Sequence, residues 1–223
     1  MNTDAMTTPV ELWAPFALRL RCGPLELRAI TDDDIPAIVD LVRAGLHEPG
    51  RMPFAHPWTD AEPDRLPANT AAYYWSTRAN FSPAAWTLDL AVRLDGELVG
   101  VQGFATTDYL VVRTGETGSW LGQAFQGRGI GTAMRQAMCA FLFDHLDAEE
   151  ITSAAFIDNP ASLAVSRKVG YVDNGTFRQQ RRPGEVASSR KLLLTRDRFV
   201  RPAHPLRVDG AEPLRAAIGL PPR

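Results

Sequence analysis

Two short segments near the start of the chain alternate apolar and polar residues: Ala17-Leu18-Arg19-Leu20-Arg21 and Leu25-Glu26-Leu27-Arg28-Ala29-Ile30. A period of two predicts strands with one buried face, and Cys22-Gly23-Pro24 between them makes the pair a hairpin or two consecutive strands. Thr31-Asp32-Asp33-Asp34 supplies a helix N-cap with acids in the first turn. Ile35, Ile38, Val39, Leu41 and Val42 then recur at helical spacing as far as Gly45. A second helix is expected from Asn69-Thr70 through Tyr73, Tyr74, Trp75 and Ala79. Trp86 to Leu94 and Glu97 to Phe104 read as strands joined by the two-residue turn Asp95-Gly96. Glu116 to Leu121 is a third strand. Ile130, Met134, Ala137, Met138, Phe141 and Leu142 mark a helix from Gly129 to about His145. Ile151 to Ile157 is again a strand. Asp158-Asn159-Pro160 caps a short helix that ends at Val169-Gly170. Tyr171 to Phe177 and Arg190 to Leu194 are the last two strands. A three-strand meander before a single crossover helix predicts an α/β fold with a mixed sheet rather than a doubly wound one.

The segments outside this pattern set the expected organisation. Residues 1–24 form an N-terminal arm (1–15) and the first strand, 25–199 the main domain, and 200–223 a proline-containing tail draped over the body or a partner. The segment from Leu46 to Pro67 is irregular, with Pro49, Pro53, Pro57, Pro63 and Pro67 among His47, Arg51, Phe54, His56 and Trp58. A long, aromatic, proline-stiffened loop is more often functional than idle.

Composition narrows the function classes. Of 223 residues, 45% are apolar and 22% charged, so a sizeable core is available, and the net charge of −2 gives no bulk attraction to nucleic acid or an anionic membrane. No run of 18 apolar residues occurs, so no membrane span is expected. The start carries Asp4 and lacks a basic stretch before an apolar core, which reads against a secretory leader. Cys22 and Cys139 are expected as free thiols of a cytoplasmic protein. Four scattered histidines give no metal-ligand spacing, so no metal is expected.

The candidate chemistry centres on Gln126-Gly127-Arg128-Gly129-Ile130-Gly131-Thr132. A glycine turn that opens a helix exposes unpaired N–H groups at the positive end of the helix dipole, which suits phosphate. No lysine follows a glycine in the Walker A frame. The dinucleotide fingerprint requires glycine where Thr132 stands. The remaining Gln-x-x-Gly-x-Gly pattern resembles the acyl-CoA pyrophosphate loop of the GCN5-related N-acetyltransferases (GNAT). Two further patterns agree in order and separation. Glu116-Thr117-Gly118-Ser119-Trp120-Leu121-Gly122 looks like the Glu-x-Gly-x-Trp-hydrophobic-Gly strand of the acetyltransferases that modify ribosomal-protein N-termini. Asp158-Asn159-Pro160-Ala161-Ser162, Ser166 and Val169-Gly170-Tyr171 are similar to that branch's Asn-x-x-Ser and Gly-aromatic segment. The resemblance covers roughly residues 25–195.

The resemblance implies a GNAT-type mixed sheet flanked by helices, with strands splayed at an acyl-CoA site. The free backbone of Trp120, Leu121 and Gly122 would pair with the pantetheine arm like an added strand. Gln126, Gly127, Arg128, Gly129, Ile130, Gly131 and Thr132 would form the pyrophosphate loop, with Arg128 either adding charge or lending only its N–H. Asn159, Ser162 and Ser166 are spaced to share a helix face. Asn159 then reads as a plain N-cap or a pantetheine contact, and the serines as small packing residues or partners of the sulfur, Ser162 ahead of Ser166. Many relatives have a tyrosine where Ser166 stands. Glu116 is the favoured general base, with a structural or acceptor-binding role as its rival; Asp108 and His47 are weaker candidates. Tyr73, Tyr74 and Trp75 read as core and rim, with one able to line an acceptor slot.

The expected function is acyl-CoA-dependent N-acyl transfer, acetyl from acetyl-CoA to a primary amine of a protein N-terminus or small molecule, with no tightly bound cofactor. One alternative is a succinyl-CoA-dependent transferase, for which Arg51 would face the distal carboxylate. Another is a CoA-binding regulatory module without turnover. An antibiotic-modifying enzyme would want an acid cluster, and Asp32-Asp33-Asp34 is better explained as a helix cap. The tail and exposed aromatics are compatible with a homodimer.

Overall fold

The computed structural model describes residues 7–223; residues 1–6 of the expected arm lie outside the described residues. Among the described residues nine strands form a single sheet: β1 (Arg19–Cys22), β2 (Leu25–Ala29), β3 (Ala85–Leu94), β4 (Glu97–Thr107), β5 (Glu116–Leu121), β6 (Glu150–Phe156), β7 (Val172–Arg182), β8 (Glu185–Thr195) and β9 (Leu206–Asp209). Their order is β7-β8-β6-β5-β4-β3-β2-β1-β9. Only β5 and β6 run parallel, so the sheet is mixed, as the order of elements predicts. The helices are α1 (Pro9–Leu12), α2 (Ile35–Arg43), α3 (Leu66–Ala79), α4 (Tyr109–Val112), α5 (Ile130–His145), α6 (Pro160–Val169) and α7 (Ala211–Ala217).

Strand alternation sorts the core into two layers. Leu88, Leu90 and Val92 of β3 pack with Met134, Ala137, Met138, Phe141 and Leu142 of α5. Ala91 and Val101 face the other way and join Ile35, Ile38, Val39 and Val42 of α2 and Tyr74 of α3. The β3–β4 turn has Asp95 at φ 50° and Gly96 at φ 88°, the two left-handed residues that a tight hairpin needs.

Thr31 and Asp34 form the expected cap, with Thr31 N–H donating to Asp34 Oδ2 at 2.8 Å. Asp34 also does more. It is 2% exposed and accepts from Arg28 at 2.7 Å and Arg93 at 2.6 Å, tying β2 and β3 to α2.

The C-terminal segment differs from the draped tail expected over 200–223. β9 pairs with β1 from Arg19↔Asp209 to Cys22↔Leu206, and Leu214, Ile218 and Leu220 enter the main core. α3 begins at Leu66, inside the proline loop, not at Asn69. β7 and β8 extend into a long hairpin whose far half is mostly polar, with Val186 left exposed, which hides it from a hydrophobic pattern. No helix among the described residues is long and apolar enough to cross a membrane.

Candidate active-site cleft

β5 pairs with β4 along its whole length, from Ala105↔Glu116 to Gly100↔Leu121. Its register with β6 is confined to Glu116↔Thr152. The last ties between the two are Thr152 N–H to Gly115 O at 2.8 Å and Ser153 Oγ–H to Thr117 O at 3.1 Å. Beyond them β5 and β6 part, and the edge of β5 from Gly118 to Leu121 faces an open V.

The glycine loop sits below this V. Gly127 (φ 74°) and Gly129 (φ 84°) hold left-handed conformations, and a Cβ on either would meet nothing within 4 Å. The chain can therefore turn sharply into α5 while leaving the space over its N-terminus clear. Thr132 and Ala133 N–H both donate to Gly129 O at 3.1 Å, so the N–H groups left for a ligand in the clear space at the helix start are those of Gly129, Ile130 and Gly131, and Thr132 does not lend its N–H. Gln126, read from sequence as part of the ligand loop, turns its amide inward. Its Nε2–H groups donate to Leu46 O at 2.7 Å and Leu121 O at 3.0 Å, buckling the loop to β5 and to the proline segment. Arg128 is exposed, with its guanidinium 5.9 Å from the Phe125 ring centroid. Gly122 answers to packing, since a Cβ there would stand 2.4 Å from Leu41 Cδ1.

A cavity of about 410 Å³ joins loop and V; it is lined by Trp120, Leu121, Gly127, Gly129, Gly131, Thr132 and Arg135, and by Asn159 and Ser162 of α6. The proline loop roofs it with Leu46, His47, Arg51 and Phe54. Aromatic contacts carry that roof outward from β5: Trp120 to Trp58 at 5.9 Å, Trp58 to Phe54 at 5.3 Å, Phe54 to His47 at 5.7 Å.

On α6, Asn159 Oδ1 accepts from Ser162 N–H at 3.2 Å, so it is an N-cap as well as a cleft residue. Ser162 faces the cleft. Ser166 does not: it is fully buried, does not line the cavity, and its hydroxyl has no hydrogen-bond partner among the described residues. The 3.6-residue spacing gave all three one face, but the deeper end of that face packs against the body.

Glu116 stands at the point where β5 and β6 part. Its side chain reaches water, yet its crowded surroundings push the carboxyl pKa up by desolvation, against a smaller opposing pull from Arg135. His47 is occupied as a loop tie, with its ring nitrogens 3.1 Å from Glu48 O and 2.8 Å from Thr59 Oγ1. Asp108 lies in a separate cavity of about 730 Å³ at the far end of β3 and β4.

Arg135 has no counterpart in the sequence reading. It is 4% exposed and donates to Gln102 Oε1 (3.4 Å), Ser153 Oγ (3.2 Å) and Ser119 Oγ (2.7 Å), linking β4, β5 and β6 beneath the V. Among the described residues it makes no ion pair. The available signal was a charged residue inside an otherwise apolar helix face.

A family model described as an acetyltransferase (GNAT) domain matches residues 24–172. Bacillus subtilis (strain 168) YdaF, whose name marks it as a candidate ribosomal N-acetyltransferase, is 29% identical over 91 residues, 41% of this chain and 49% of YdaF. The match thus spans about half the length of that relative. RimJ of Mycobacterium smegmatis, solved in complex with a CoA disulfide, superimposes with a TM-score of 0.69 at 20% identity, over 91% of this chain and 95% of its own. A spermidine N-acetyltransferase from Vibrio cholerae, solved with CoA and spermine, gives 0.61 at 16% identity over 78% and 97%. The two structures bear on the fold, and the family model covers more than half of the sequence: the chain belongs to the GNAT acetyltransferase family.

Proposed function

We propose that this enzyme transfers an acetyl group from acetyl-CoA to a primary amine by direct attack. The observation that carries the reading is the continuity of one cleft from the open N-terminus of α5 to the unpaired edge of β5. The pyrophosphate rests on the N–H groups of Gly129, Ile130 and Gly131. The pantetheine amides pair with β5 near Trp120 and Leu121, with Asn159 at their flank. A β5 N–H donates to the carbonyl oxygen as charge develops there.

An alkyl ammonium must lose a proton before it can attack. Glu116 takes that proton, directly or through water, and its raised pKa makes it a stronger base than an ordinary carboxylate. The C–N bond forms and the C–S bond breaks. The second nitrogen proton leaves for the thiolate, which Ser162 steadies with a hydrogen bond. A free thiol pKa of ~8.5 makes this leaving group undemanding.

A second reading has two arginines in its favour. Arg135 is a buried guanidinium on the cleft wall with no ion pair among the described residues, and Arg51 lines the roof. Either suits the distal carboxylate of a succinyl donor. Thermal melting with CoA, acetyl-CoA and succinyl-CoA, beside a Gly129→Glu variant, tests both readings. A ligand that binds only the folded state raises the melting point. Stabilisation of the wild type but not the variant supports the cleft, and the larger shift names the donor. No shift at millimolar CoA ester refutes the reading.

A further inference from the structure

Three rows of residues cross β3, β4 and β5 on the face covered by α2 and α3. They are Thr87, Ala105 and Glu116; Asp89, Gly103 and Gly118; and Ala91, Val101 and Trp120. The middle row carries no side chain after Asp89, so it is a trough. Asp89 Oδ1 lies 2.5 Å from where a Cβ on Gly103 would stand, so the carboxylate leans along the trough over Gly103. A Cβ on Gly118 would meet nothing within 4 Å, so the next step is open. That opening lies on β5 where it parts from β6, with Glu116 and Trp120 two residues away on either side.

Asp89 is the unexplained group here. Its Oδ2, the oxygen farther from Gly103, is buried and has no hydrogen-bond partner among the described residues. Burial pushes its pKa up to about 6, with Tyr73 of α3 the one group drawing it back. The oxygen turned toward the trough is Oδ1, and a buried carboxylate is costly to ionise unless a cation meets it. Neighbouring strands lie ~4.8 Å apart, so a cation over Gly118 is about one strand spacing from the leaning carboxylate and within reach of the Glu116 side chain.

We propose that this trough is the amine subsite: the ammonium of the acceptor enters over Gly118, Asp89 attracts it as the negative charge along the trough, and Glu116 takes its proton. The inference rests on the acyl-transfer reading and adds a specificity-determining residue, Asp89, that selects a charged alkylammonium over a neutral acceptor. One ammonium proton passes to Glu116. The freed lone pair forms the C–N bond as C–S breaks, and the second nitrogen proton goes to the departing thiolate. Asp89 stays ionised as the negative charge along the trough.

The test uses the full chain saturated with CoA and titrated with n-butylamine or n-butanol at pH 7.5, read as a melting shift. Butylammonium should stabilise the wild type and butanol should not. Asp89→Asn should weaken amine binding by at least about tenfold while leaving CoA affinity within about twofold. Gly118→Leu fills the open step at a backbone geometry that tolerates a side chain, and should lose the amine while keeping CoA. Equal response to amine and alcohol, or unchanged amine binding in both variants, overturns the subsite. Absence of any CoA effect on the wild type overturns the acyl-transfer reading itself.

Discussion

Arg182 and Asp60 clasp the cleft roof to the β7–β8 hairpin. Arg182 Nε–H donates to Asp60 Oδ2 at 2.6 Å and Nη2–H to Oδ1 at 3.3 Å, across 122 residues of sequence. Arg51 adds a second tie from the proline loop, donating to Asp158 O at 2.7 Å, and Arg181 grips the Asp158 carboxylate. The Arg182 hydrogen bond holds the Asp60 carboxyl below the usual range. Asp60 is exposed and Arg182 partly so, and the clasp is therefore weakened by salt. Asp60→Asn should raise KM for the acyl-CoA several-fold with little change in kcat, and the wild-type KM should drift toward the variant's as ionic strength rises. Steady-state kinetics across a salt series checks this; a KM indifferent to both changes contradicts a roof held from the hairpin.

Asp89 makes stability depend on pH in the direction opposite to most carboxylates. Its folded pKa, about 6, lies above the unfolded value of ~3.9. The folded state therefore binds more protons in that window. The stabilisation is full below pH ~4 and is lost as pH rises through about 6, a change on the order of 3 kcal/mol. Urea midpoints measured from pH 4 to 7.5 should show Asp89→Asn gaining on the wild type as pH rises. Parallel curves would mean that the carboxylate is solvated. Glu116 is likewise raised by burial, so wild-type kcat/KM should climb as pH passes its pKa, and Glu116→Gln should lose that acid limb along with most activity.

Ser162 and Ser166 separate cleanly. Ser162 faces the cleft, and Ser162→Ala should lower kcat by several-fold while leaving the melting point in place. Ser166 buries a hydroxyl without a partner, so Ser166→Ala should leave kinetics unchanged and be neutral or stabilising by up to about 1 kcal/mol. Kinetics and melting of the two variants decide between them; a kinetic defect in Ser166→Ala would place the sulfur deeper than the cleft geometry does.

Asp34 offers the corresponding structural control. Its removal strands Arg28 and Arg93 and uncaps Thr31. Asp34→Ala should cost about 3 kcal/mol, the low end for a broken buried pair because both guanidiniums keep some contact with water. Denaturant titration reads the loss, and a change below about 1 kcal/mol would show the pair to be a surface one in effect.

The elements legible in the sequence were those whose signals are local. α6 was announced by Asn159-Pro160 at one end and Gly170 at the other, and all three occupy those cap positions. The Asp95-Gly96 turn and the strand leading into the glycine loop were equally local. β9 was not legible, because a four-residue strand with two apolar positions is specified by its partner β1, nearly 190 positions earlier. The site divided in the same way. The backbone cradle at Gly127 and Gly129 follows from residue type alone. The direction of a side chain does not: Gln126 turned inward, Ser166 went to the core, and Arg135 came to the cleft only because β4, β5 and β6 converge there. Asp89 reads as one polar residue in an alternating strand until Gly103 and Gly118 are aligned beside it.

The most direct test of acyl transfer at this cleft is the crystal structure of the wild type with CoA. The pyrophosphate should lie on the N–H groups of Gly129 to Gly131, the pantetheine beside Trp120 and Leu121, and the sulfur between β5 and Ser162. CoA bound elsewhere, or a cleft left empty at millimolar CoA, would contradict it.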